Sequence, residues 1–414
     1  MLPSTRNLRI LRTLTPRHKT PQMKNTLVIN CGSSSLKFEL FTGGTKPSSI
    51  AKGLIDRIGK PDCKITFKSS DSNLGLQDKI KDHTAAVKYA FALLLKSESI
   101  EKLSEISLIG HRVVHGGEKH TKAVRIDAKV LKEIHKLSPL APLHNPINLK
   151  GIEACKKLLP RVKQVAVFDT AFHQTLDEKA YLYAIPQELY TKHGIRKYGF
   201  HGTSHKYVTN ETIKRLKNKS GLKIITCHFG NGSSITASKS GKVVDTSHGY
   251  TPVEGIPMGT RSGSIDPIIP LKLQQIKKWT PAKVDEFLNR ECGLKGLSGI
   301  SSDMREIYAE SLAKNPDAIL TIDHLAFHSA KYIGSYIAAL DGLDALVFTA
   351  GMGEKAFYVR ERICAHFSHL GLRLDKSKNK QCKELISSKS SKIKVFVIPT
   401  DEECQIAKES LNVK

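Results

Sequence analysis

A strand, a turn rich in glycine and serine, and a returning strand occur twice in the chain, and this repeat constrains the fold more than any other feature. The first copy predicts strands at 27–31 and 36–41, and the second predicts strands at 223–228 and 235–238. Glycine lets the backbone approach an anion closely, and serine hydroxyls add hydrogen-bond donors. Two such hairpins, one in each half, are predicted to hold a polyphosphate from both sides of a cleft. Either copy alone is also compatible with an ordinary hairpin turn.

Strand and helix patterns alternate along the rest of the chain, which indicates the α/β class. Apolar runs predict further strands at 106–114, 164–168, 345–349 and 394–398. Helical spacing predicts helices at 84–95, 127–137, 147–159, 316–340 and about 357–370, with a final helix closing the chain.

Composition excludes several classes of protein. The chain of 414 residues is 40% hydrophobic and contains no apolar run of about 18 residues, so no membrane span is expected. Its formal charge of +26 comes from lysines that are dispersed and lack interleaved aromatic residues, which favours a solvated surface over nucleic-acid binding. Eight scattered cysteines without C-x-x-C spacing indicate reduced thiols and a cytoplasmic location. Residues 1–22 are basic and lack Asp and Glu, as a transit peptide or an extended start before Met23 would, and we predict a disordered tail without a catalytic role.

Glycine motifs narrow the kind of nucleotide site. The chain has no G-x-x-x-x-G-K-[ST] sequence, so it is not a P-loop enzyme. Gly351, Gly353 and Ala356 match a dinucleotide fingerprint, which leaves an NAD enzyme as one alternative. Because the segment that follows lacks a convincing second strand, we favour a strand–glycine–helix turn beside the base or ribose of a nucleotide.

Charged and polar residues follow several of the predicted strands, where α/β proteins build their sites. Arg112 and Arg261 stand among small residues, from which a planar guanidinium can bind a carboxylate or phosphoryl group. A structural salt bridge is the alternative for either one. Glu402 follows the last strand and Asn30 precedes the first turn, so both are candidates for a magnesium site. Further polar candidates on loops are His144, Asp169, His173 and His201.

Taken together, these motifs resemble the acetate kinases. The resemblance covers residues 25–414 in the family's order. It rests on NCGSSSLK at 30–37, the Arg112 and His144 loops, FDTAFH at 168–173, YGFHGTSH at 198–205, HFGNGSS at 228–234, GTRSG at 259–263, GISSDMR at 299–305, GMGE at 351–354 and PTDEE at 399–403.

The resemblance implies a fold of the acetate and sugar kinase, Hsp70 and actin type, an α/β architecture with two duplicated ribonuclease-H-like domains around a nucleotide cleft. We expect one domain at 23–169 plus 403–414 and a second at 170–402. It also implies an ATP-dependent phosphotransferase with a carboxyl group as acceptor, Mg²⁺ (or Mn²⁺) as cofactor, acetate and ATP as substrates, and a homodimer without nucleic-acid or membrane partners.

Residue roles also follow from the resemblance. It implies catalytic roles for Asp169, His201, Arg261 and His144, carboxylate binding by Arg112, and metal binding by Asn30 and Glu402. The implied nucleotide-binding residues are Ser33, Ser35, Lys37, His228, Phe229, Gly230, Asn231, Gly232, Asp303, Met304, Arg305, Gly351, Met352, Gly353, Glu354 and Lys355.

Three positions depart from the family pattern. Lys355 and Asp401 stand where the family usually has Asn, and Ser264 stands where it usually has Asp. None of them removes a group assigned to chemistry, so an active enzyme is expected. The alternatives are a propionate or butyrate kinase, which would differ in the size of the acyl pocket, and a non-enzymatic nucleotide-binding module of the same fold. Nucleotide binding alone would not need Arg112, Asp169, His201 and Arg261.

Overall fold

The computed structural model describes residues 24–44 and 46–414, so the predicted basic tail at 1–22 lies outside the described residues. The chain divides into two compact units. The first contains the described residues up to 171 together with 401–414, and the second contains 172–400. The boundaries predicted from sequence, at 169/170 and 402/403, each differ from these by two residues. Asp401 groups with the last helix because its side chain accepts the Cys404 N–H at 2.8 Å and so caps that helix.

The first stretch of the first unit contains eight strands and three α-helices, with short 3₁₀ turns at Leu103–Glu105 and Ser138–Leu140. In chain order these are β1 (Asn25–Cys31), β2 (Ser35–Phe41), β3 (Ser49–Asp56), β4 (Cys63–Ser69), β5 (Asn73–Asp78), α1 (His83–Lys96), β6 (Ile106–Val113), β7 (Val124–Arg125), α2 (Ala128–Lys136), α3 (Asn145–Leu158) and β8 (Lys163–Phe168).

These strands form one sheet in the order β5-β4-β3-β2-β1-β6-β8-β7. β1 pairs antiparallel with β2 and parallel with β6, so the first Gly/Ser turn leaves the sheet beside the end of β6. Side chains alternate along β1: Leu27 and Ile29 face the cluster that includes α1 and α3, whereas Val28 faces the opposite cluster. Both faces of the central strands are therefore buried.

The second unit contains five strands and eleven α-helices, with further 3₁₀ turns at Ala171–Thr175 and Ser368–Leu370. In chain order these are α4 (Glu178–Tyr181), α5 (Gln187–His193), α6 (Gly202–Arg215), β9 (Lys223–Phe229), β10 (Ser233–Lys239), β11 (Lys242–Thr246), α7 (Ile269–Lys277), α8 (Pro281–Arg290), α9 (Gly293–Ser298), α10 (Met304–Leu312), α11 (Pro316–Leu340), β12 (Ala345–Thr349), α12 (Ala350–Lys355), α13 (Phe357–Ala365), α14 (Lys376–Lys380) and β13 (Lys394–Val397). The chain then returns to the first unit with α15 (Glu402–Leu411), which packs on β1, β6 and β8.

The second sheet has the order β11-β10-β9-β12-β13. β9 pairs antiparallel with β10 and parallel with β12, as β1 does with β2 and β6. The run β3-β2-β1-β6-β8 of the first sheet therefore has the same order and directions as the whole second sheet. The duplication expected from the repeated hairpins is present in the topology, and each Gly/Ser turn occupies the same place in its unit.

Helix α11 forms the centre of the second core. Its buried residues, including Ile322, Leu325 and Ile333, pack in one cluster with Ile225 and Phe348 of the sheet. Helix α6 lies against the other face, where Val208 contacts a cluster from β9, β12 and β13. Within the described part of the chain, no helix is both long and apolar enough to cross a membrane.

Candidate active site

The first Gly/Ser turn is tight and carries exposed donors. The Gly32 N–H donates to the Ser35 carbonyl at 2.8 Å, which closes the turn between β1 and β2. Ser33 is exposed and Ser35 is half-buried. Lys37 is exposed on β2 directly across from Asn30 on β1, so the candidate phosphate-binding lysine and the candidate metal-binding amide share one ladder position.

Buried Asp169 and half-buried Arg112 form an ion pair at the ends of β8 and β6. Arg112 Nε donates to Asp169 Oδ2 at 3.1 Å, and Nη2 donates to the same oxygen. The remaining Nη1 donates to Asn30 Oδ1 at 3.3 Å. Burial alone would lower the pKa of Arg112, but Asp169, Glu402 and Glu403 raise it above its ordinary value. The guanidinium is thus permanently charged and held by three of its donors.

A group of carboxylates lies at the start of α15. Burial raises the pKa of Glu402 to about 7, with Arg112 and Lys37 acting in the opposite direction and Asp169 adding to the rise. Among the described residues, oxygen atoms of Glu39, Asp401 and Glu403 lie within 4.8 Å of one another. This set differs from the predicted metal pair, Asn30 and Glu402, but adjoins it, because Asn30 Nδ2 donates to Glu403 Oε1 at 3.1 Å.

His144 occupies the N-cap position of α3 and is half-buried. Its carbonyl accepts the N–H groups of Ile147 and Asn148, both at 2.9 Å. Two asparagines of the same helix reach back to the polar strand ends: Asn148 Oδ1 accepts the Val114 N–H and Asn145 Oδ1 accepts the His115 N–H. The loop that carries His144 is therefore tied to the end of β6, the strand that carries Arg112.

In the second unit, the loop that carries Arg261 docks on the second Gly/Ser turn. The Gly230 N–H donates to the Gly232 carbonyl at 3.1 Å, and the Gly259 N–H donates to the Asn231 carbonyl at 3.0 Å. A Cβ at Gly259 would lie 2.2 Å from Asn231 Oδ1, so a larger residue here would have to displace the Asn231 side chain. The two motifs singled out in the sequence thus form one structure.

Arg261 carries a half-buried guanidinium that no carboxylate neutralises within the described part of the unit. Its Nη1 donates to the Pro252 carbonyl at 3.3 Å and lies 3.8 Å from Met258 Sδ. Burial lowers the pKa of Arg261, in contrast to the raised pKa of Arg112. A partly desolvated cation without an anionic partner is stabilised when a ligand supplies the negative charge.

His201 lies beside this arginine. It is the N-cap residue of α6 with φ +57°, a left-handed conformation that is uncommon for residues other than glycine. Its ring stacks on His228 at 4.2 Å, and its Nδ1 lies 2.9 Å from Ser234 Oγ on β10. A Cβ at Gly232 would lie 3.1 Å from Arg261 Nη1 and 3.4 Å from His201 Nε2, so the two side chains converge on the space that this glycine leaves open.

A cavity of about 670 Å³ opens in the second unit next to the same turn. Its walls come from the turn itself, from the start of α10, from α12 and from the start of α13. The lining residues are Gly230, Asn231, Leu294, Ser302, Asp303, Met304, Arg305, Tyr308, Gly351, Met352, Lys355, Ala356, Phe357 and Tyr358.

This lining includes eight of the predicted nucleotide-binding residues of the second unit, Arg305 among them. Gly353 and Glu354 are not part of it. Gly353 is buried, and its carbonyl accepts a hydrogen bond from Arg360 Nη1 at 2.8 Å. His228, Phe229 and Gly232 lie on or beside the turn but outside the cavity wall. Asp303 and Arg305 form an ion pair at the rim, which lowers the pKa of Asp303 through the hydrogen bonds from Arg305.

The sequence did not reveal the aromatic wall of the cavity. The rings of Tyr308 and Tyr358 stack at 3.5 Å, and Phe357 meets Tyr308 edge-on at 6.1 Å. These residues stand about fifty positions apart, and only the packing of α10 against α13 brings them together. Buried Arg360 was missed for the same reason, since its partners are Gly353, Asn379 and Cys382.

The three departures from the family pattern have defined environments. Ser264 Oγ accepts the Gly255 N–H at 3.1 Å and lies 2.9 Å from the Tyr332 hydroxyl, so it anchors the loop after Arg261. Asp401 caps α15, and burial raises its pKa. Lys355 lies exposed at the cavity wall.

The chain is similar to known proteins over most of its length. The model of the acetokinase family matches residues 25–408. An acetate kinase of Desulfitobacterium hafniense is 49% identical over 393 residues, which covers 94% of this chain and 98% of the relative. Two crystal structures are each 41% identical to this chain. They are a Porphyromonas gingivalis acetate kinase (TM-score 0.88, covering 94% of this chain and 99% of the other) and a Francisella tularensis propionate kinase (TM-score 0.89, covering 95% and 100%).

These matches confirm the predicted resemblance and the predicted fold class. They extend over both units, and the described topology has the duplicated α/β cores that the fold requires. The chain therefore belongs to the acetokinase family.

Proposed function

We propose that the protein catalyses reversible phosphoryl transfer between ATP and acetate, giving acetyl phosphate and ADP. The observation that carries the proposal is the partly buried guanidinium of Arg261, which lacks a carboxylate partner and converges with His201 at Gly232. Phosphoryl transfer depends on cationic donors positioned before the reaction, and this arrangement provides them. Membership of the acetokinase family supports the choice of a carboxylate as acceptor.

We assign the 670 Å³ cavity to the base and ribose of the nucleotide. Its aromatic wall, formed by Tyr308, Phe357 and Tyr358, suits a flat heterocycle. Gly230 and Asn231 belong both to the cavity wall and to the Gly/Ser turn, so a nucleotide in the cavity would extend its phosphates toward that turn. We also assign Ser33 and Ser35, at the first turn, and Lys37, on β2, to phosphate oxygens.

Arg112 is assigned to the carboxylate of the acid. Asp169 accepts from two nitrogens of its guanidinium and so fixes the plane in which it binds an anion. His144, on a loop tied to the end of the same strand, is assigned to the surroundings of the acid. Asp169 itself would act by orienting Arg112 and by adding negative charge near Glu402.

A divalent cation fits the first unit. Around Glu402, the charges that shift its pKa are the carboxylates of Asp169 and Glu403 and the cations of Arg112 and Lys37, so carboxylates are in excess once Glu402 is counted. Oxygen donors of this kind suit Mg²⁺ or Mn²⁺. We assign Asn30 and Glu402 as the residues that would hold the ion. When bound, Mg²⁺ would neutralise charge on the phosphate oxygens.

In the reaction, an acetate oxygen forms a bond to the γ-phosphorus of ATP, and the bond from that phosphorus to the β–γ bridging oxygen breaks, so that ADP leaves with the electron pair. Arg261 and His201 would donate to the equatorial oxygens of the transferring group. His201 lies on a rigid helix N-cap and Arg261 on a loop hydrogen-bonded to the Gly/Ser turn, so both donors are in place before the charge develops.

We also predict that the enzyme is a homodimer and that it works in the cytoplasm, as the resemblance implies. Light scattering on the purified protein tests the first prediction, and localisation of a tagged chain tests the second.

A hydroxamate assay tests the function. Purified protein with ATP, Mg²⁺ and acetate should form acetyl phosphate, and chelation of the divalent cation should stop the reaction. Propionate and butyrate are assayed in parallel, and a higher kcat/KM for either would reassign the substrate to that acid. Nucleotide binding without turnover of any of the three acids would refute the kinase and leave a binding module.

A further inference from the structure

A buried hydrogen-bond chain runs from His201 into the second unit. We propose that Ser234 and His205 are positioning residues that keep a proton on His201 Nδ1, so that His201 donates from Nε2 only as an imidazolium. The proposal rests on the function above, in which His201 contacts the transferring phosphoryl group.

The chain has four links. His201 Nδ1 lies 2.9 Å from Ser234 Oγ, and the same oxygen lies 2.8 Å from His205 Nε2. His205 Nδ1 lies 2.7 Å from Thr226 Oγ1, which donates to the Thr236 carbonyl at 3.4 Å. Ser234, His205 and Thr226 are fully buried, and they come from α6, β9 and β10. The geometry is therefore held by the core of the unit.

The Thr236 carbonyl at the end of these hydrogen bonds fixes the direction in which each of them donates. A carbonyl oxygen only accepts, so the Thr226 hydroxyl proton points to Thr236 and Thr226 Oγ1 accepts from His205 Nδ1–H. Neutral His205 then has a lone pair on Nε2 and accepts from the Ser234 hydroxyl. Ser234 has one proton, so its oxygen accepts from His201 Nδ1–H. In the opposite direction the Thr226 hydroxyl would donate to His205 Nδ1, and its bond to the Thr236 carbonyl would be lost, so this assignment makes one more hydrogen bond.

The surroundings keep His205 neutral. Burial is the main cause that lowers its pKa well below the ordinary value, and His173, His228 and His248 act in the same direction. A neutral imidazole donates from one nitrogen and accepts at the other. Neutral His205 therefore donates from Nδ1 and accepts at Nε2, so all the hydrogen bonds point in the same direction.

The consequence for His201 concerns its other nitrogen. With Nδ1 already carrying a proton, neutral His201 has a lone pair on Nε2, which would repel an anionic phosphoryl oxygen. Protonation then takes place at Nε2, the atom that shares the space beside Gly232 with Arg261 Nη1. Among the described residues, the charged or titratable groups that face the ring include His228, stacked at 4.2 Å, His248 at 5.1 Å, and Arg261.

Nuclear magnetic resonance of the full chain labelled with ¹⁵N-histidine tests the position of the proton. His201 signals are assigned with a His201→Gln variant. Neutral His201 in the wild type should be protonated on Nδ1 and not on Nε2. A neutral ring protonated on Nε2 would overturn the proposal, whatever the activity of any variant.

Kinetics of Ser234→Ala test the effect on transfer. We expect kcat to fall by roughly 10-fold, as loss of a partner that orients a functional histidine does elsewhere, while KM for ATP stays within about 2-fold. Thr209→Val is the matched control, because Thr209 is fully buried on the same helix as His205 and its hydroxyl has no hydrogen-bond partner among the described residues. Ser234→Ala with wild-type kcat would overturn the proposal.

Two substitutions of His205 separate positioning from packing. The amide of Gln can reach the place of Nε2 and accept from Ser234, whereas the shorter Asn reaches only the place of Nδ1. We expect His205→Gln to keep kcat within about 3-fold and His205→Asn to lose roughly 10-fold, at similar melting temperatures. Equal losses in both would assign His205 a purely structural role and overturn the proposal. A wild-type chain without kinase activity would refute the proposed function, and with it the role of His201 in transfer, whereas the spectrum would still decide where the proton lies.

Discussion

Arg261 and Arg112 differ in what surrounds the guanidinium. Arg112 is paired with Asp169 and held by Asn30, and its pKa is raised. Arg261 contacts a carbonyl and a sulfur, and burial lowers its pKa. An arginine that already has its anion suits the binding of a second anionic ligand in a fixed orientation. An arginine without an anionic partner gives the largest electrostatic stabilisation when negative charge develops beside it.

Replacing Arg261 by Ala should therefore lower kcat by roughly 10²-fold or more, as removal of one preorganised transition-state donor does elsewhere. The nucleotide KM should change much less, because the cavity wall does not include Arg261. Arg261→Lys should recover little, since an ammonium cannot reproduce the planar fork. Steady-state kinetics with ATP and acetate measure both constants.

Arg112→Ala is the companion variant, and its main effect should be a higher KM for acetate. If Arg261→Ala keeps the wild-type kcat and raises only KM, Arg261 binds the ground state and the role assigned to it is wrong.

At the scale of elements, the second Gly/Ser turn works by leaving space. Gly232 has no Cβ where Arg261 and His201 converge. Its backbone is not in the left-handed region, so the only effect of an alanine here would be the steric effect of the added Cβ. Gly232→Ala should displace one of the two side chains by a few tenths of an ångström. We expect kcat to fall by several-fold to about 10-fold with little change in stability.

Gly334→Ala on helix α11 is the control for that variant. A Cβ there meets no atom within 4 Å, so kcat should stay unchanged and the free energy of unfolding should rise by about 0.5–1 kcal/mol. A Gly232→Ala enzyme with wild-type kcat would show that the convergence has no part in catalysis.

Helix α13 is attached through Arg360 to the segment that lines the 670 Å³ cavity. The guanidinium is fully buried and donates to Gly353 O, Asn379 O and Asn379 Oδ1, each at 2.8 Å. Arg360→Met keeps the volume but leaves these acceptors without donors, so we expect a loss of about 3 kcal/mol or more in the free energy of unfolding. The nucleotide KM should rise as well, because Gly353 lies between Met352 and Lys355, which both line the cavity. Urea unfolding and steady-state kinetics measure the two effects.

Arg362→Met on the same helix gives the comparison. Arg362 pairs with Asp323 at 2.7 Å, but both side chains are more than a third exposed, so its loss should cost no more than about 1 kcal/mol. Similar losses for the two variants would show that the buried hydrogen bonds of Arg360 contribute nothing beyond an exposed pair.

Part of this architecture could be predicted from the sequence because the signals were local. The paired hairpins, the strand at Ala345–Thr349 and helix α11 were predicted with nearly the bounds that the structure has. Strands β3 to β5 were not predicted. β4 does alternate, with Cys63, Ile65 and Phe67 buried between exposed residues, so the signal was present there. β3 alternates poorly and contains Gly53, which packs against the ring of Phe38.

The site divides in the same way. For the glycine turns and the arginines among small residues, the residue type alone suggests the chemical role, so these features could be predicted from the sequence. The aromatic wall, Arg360, and the link from Ser234 to His205 depend on residues distant in sequence that meet only in the folded unit. No local pattern distinguishes such a tyrosine or histidine from one that fills a core. The roles of the individual residues in catalysis stay predictions until the variants are measured.

At the scale of the whole molecule, the chain buries several histidines in the neutral form. Desolvation lowers the pKa of His111 and of His115 to about 4 in the first unit. It lowers the pKa of His248 to about 3 in the second. An unfolded chain exposes these rings to water, where the ordinary pKa is about 6.5. Folding therefore releases protons in acid, and both units should be destabilised as pH falls.

His111 allows that linkage to be measured at one residue. It is 2% exposed, and its Nε2 donates to Gln164 Oε1 at 2.8 Å. Because its pKa in the folded state is below that in the unfolded state, its contribution to stability is fully present above about pH 6.5 and is lost as pH falls toward about 4. Between about pH 7 and about pH 5 this one ring should cost about 2 kcal/mol. His111→Gln can still donate to Gln164 but cannot take up a proton, so its free energy of unfolding should fall by about 2 kcal/mol less than that of the wild type over this interval. Urea unfolding of both proteins at the two pH values measures the difference, and an equal fall in both would mean that His111 takes up no proton on unfolding.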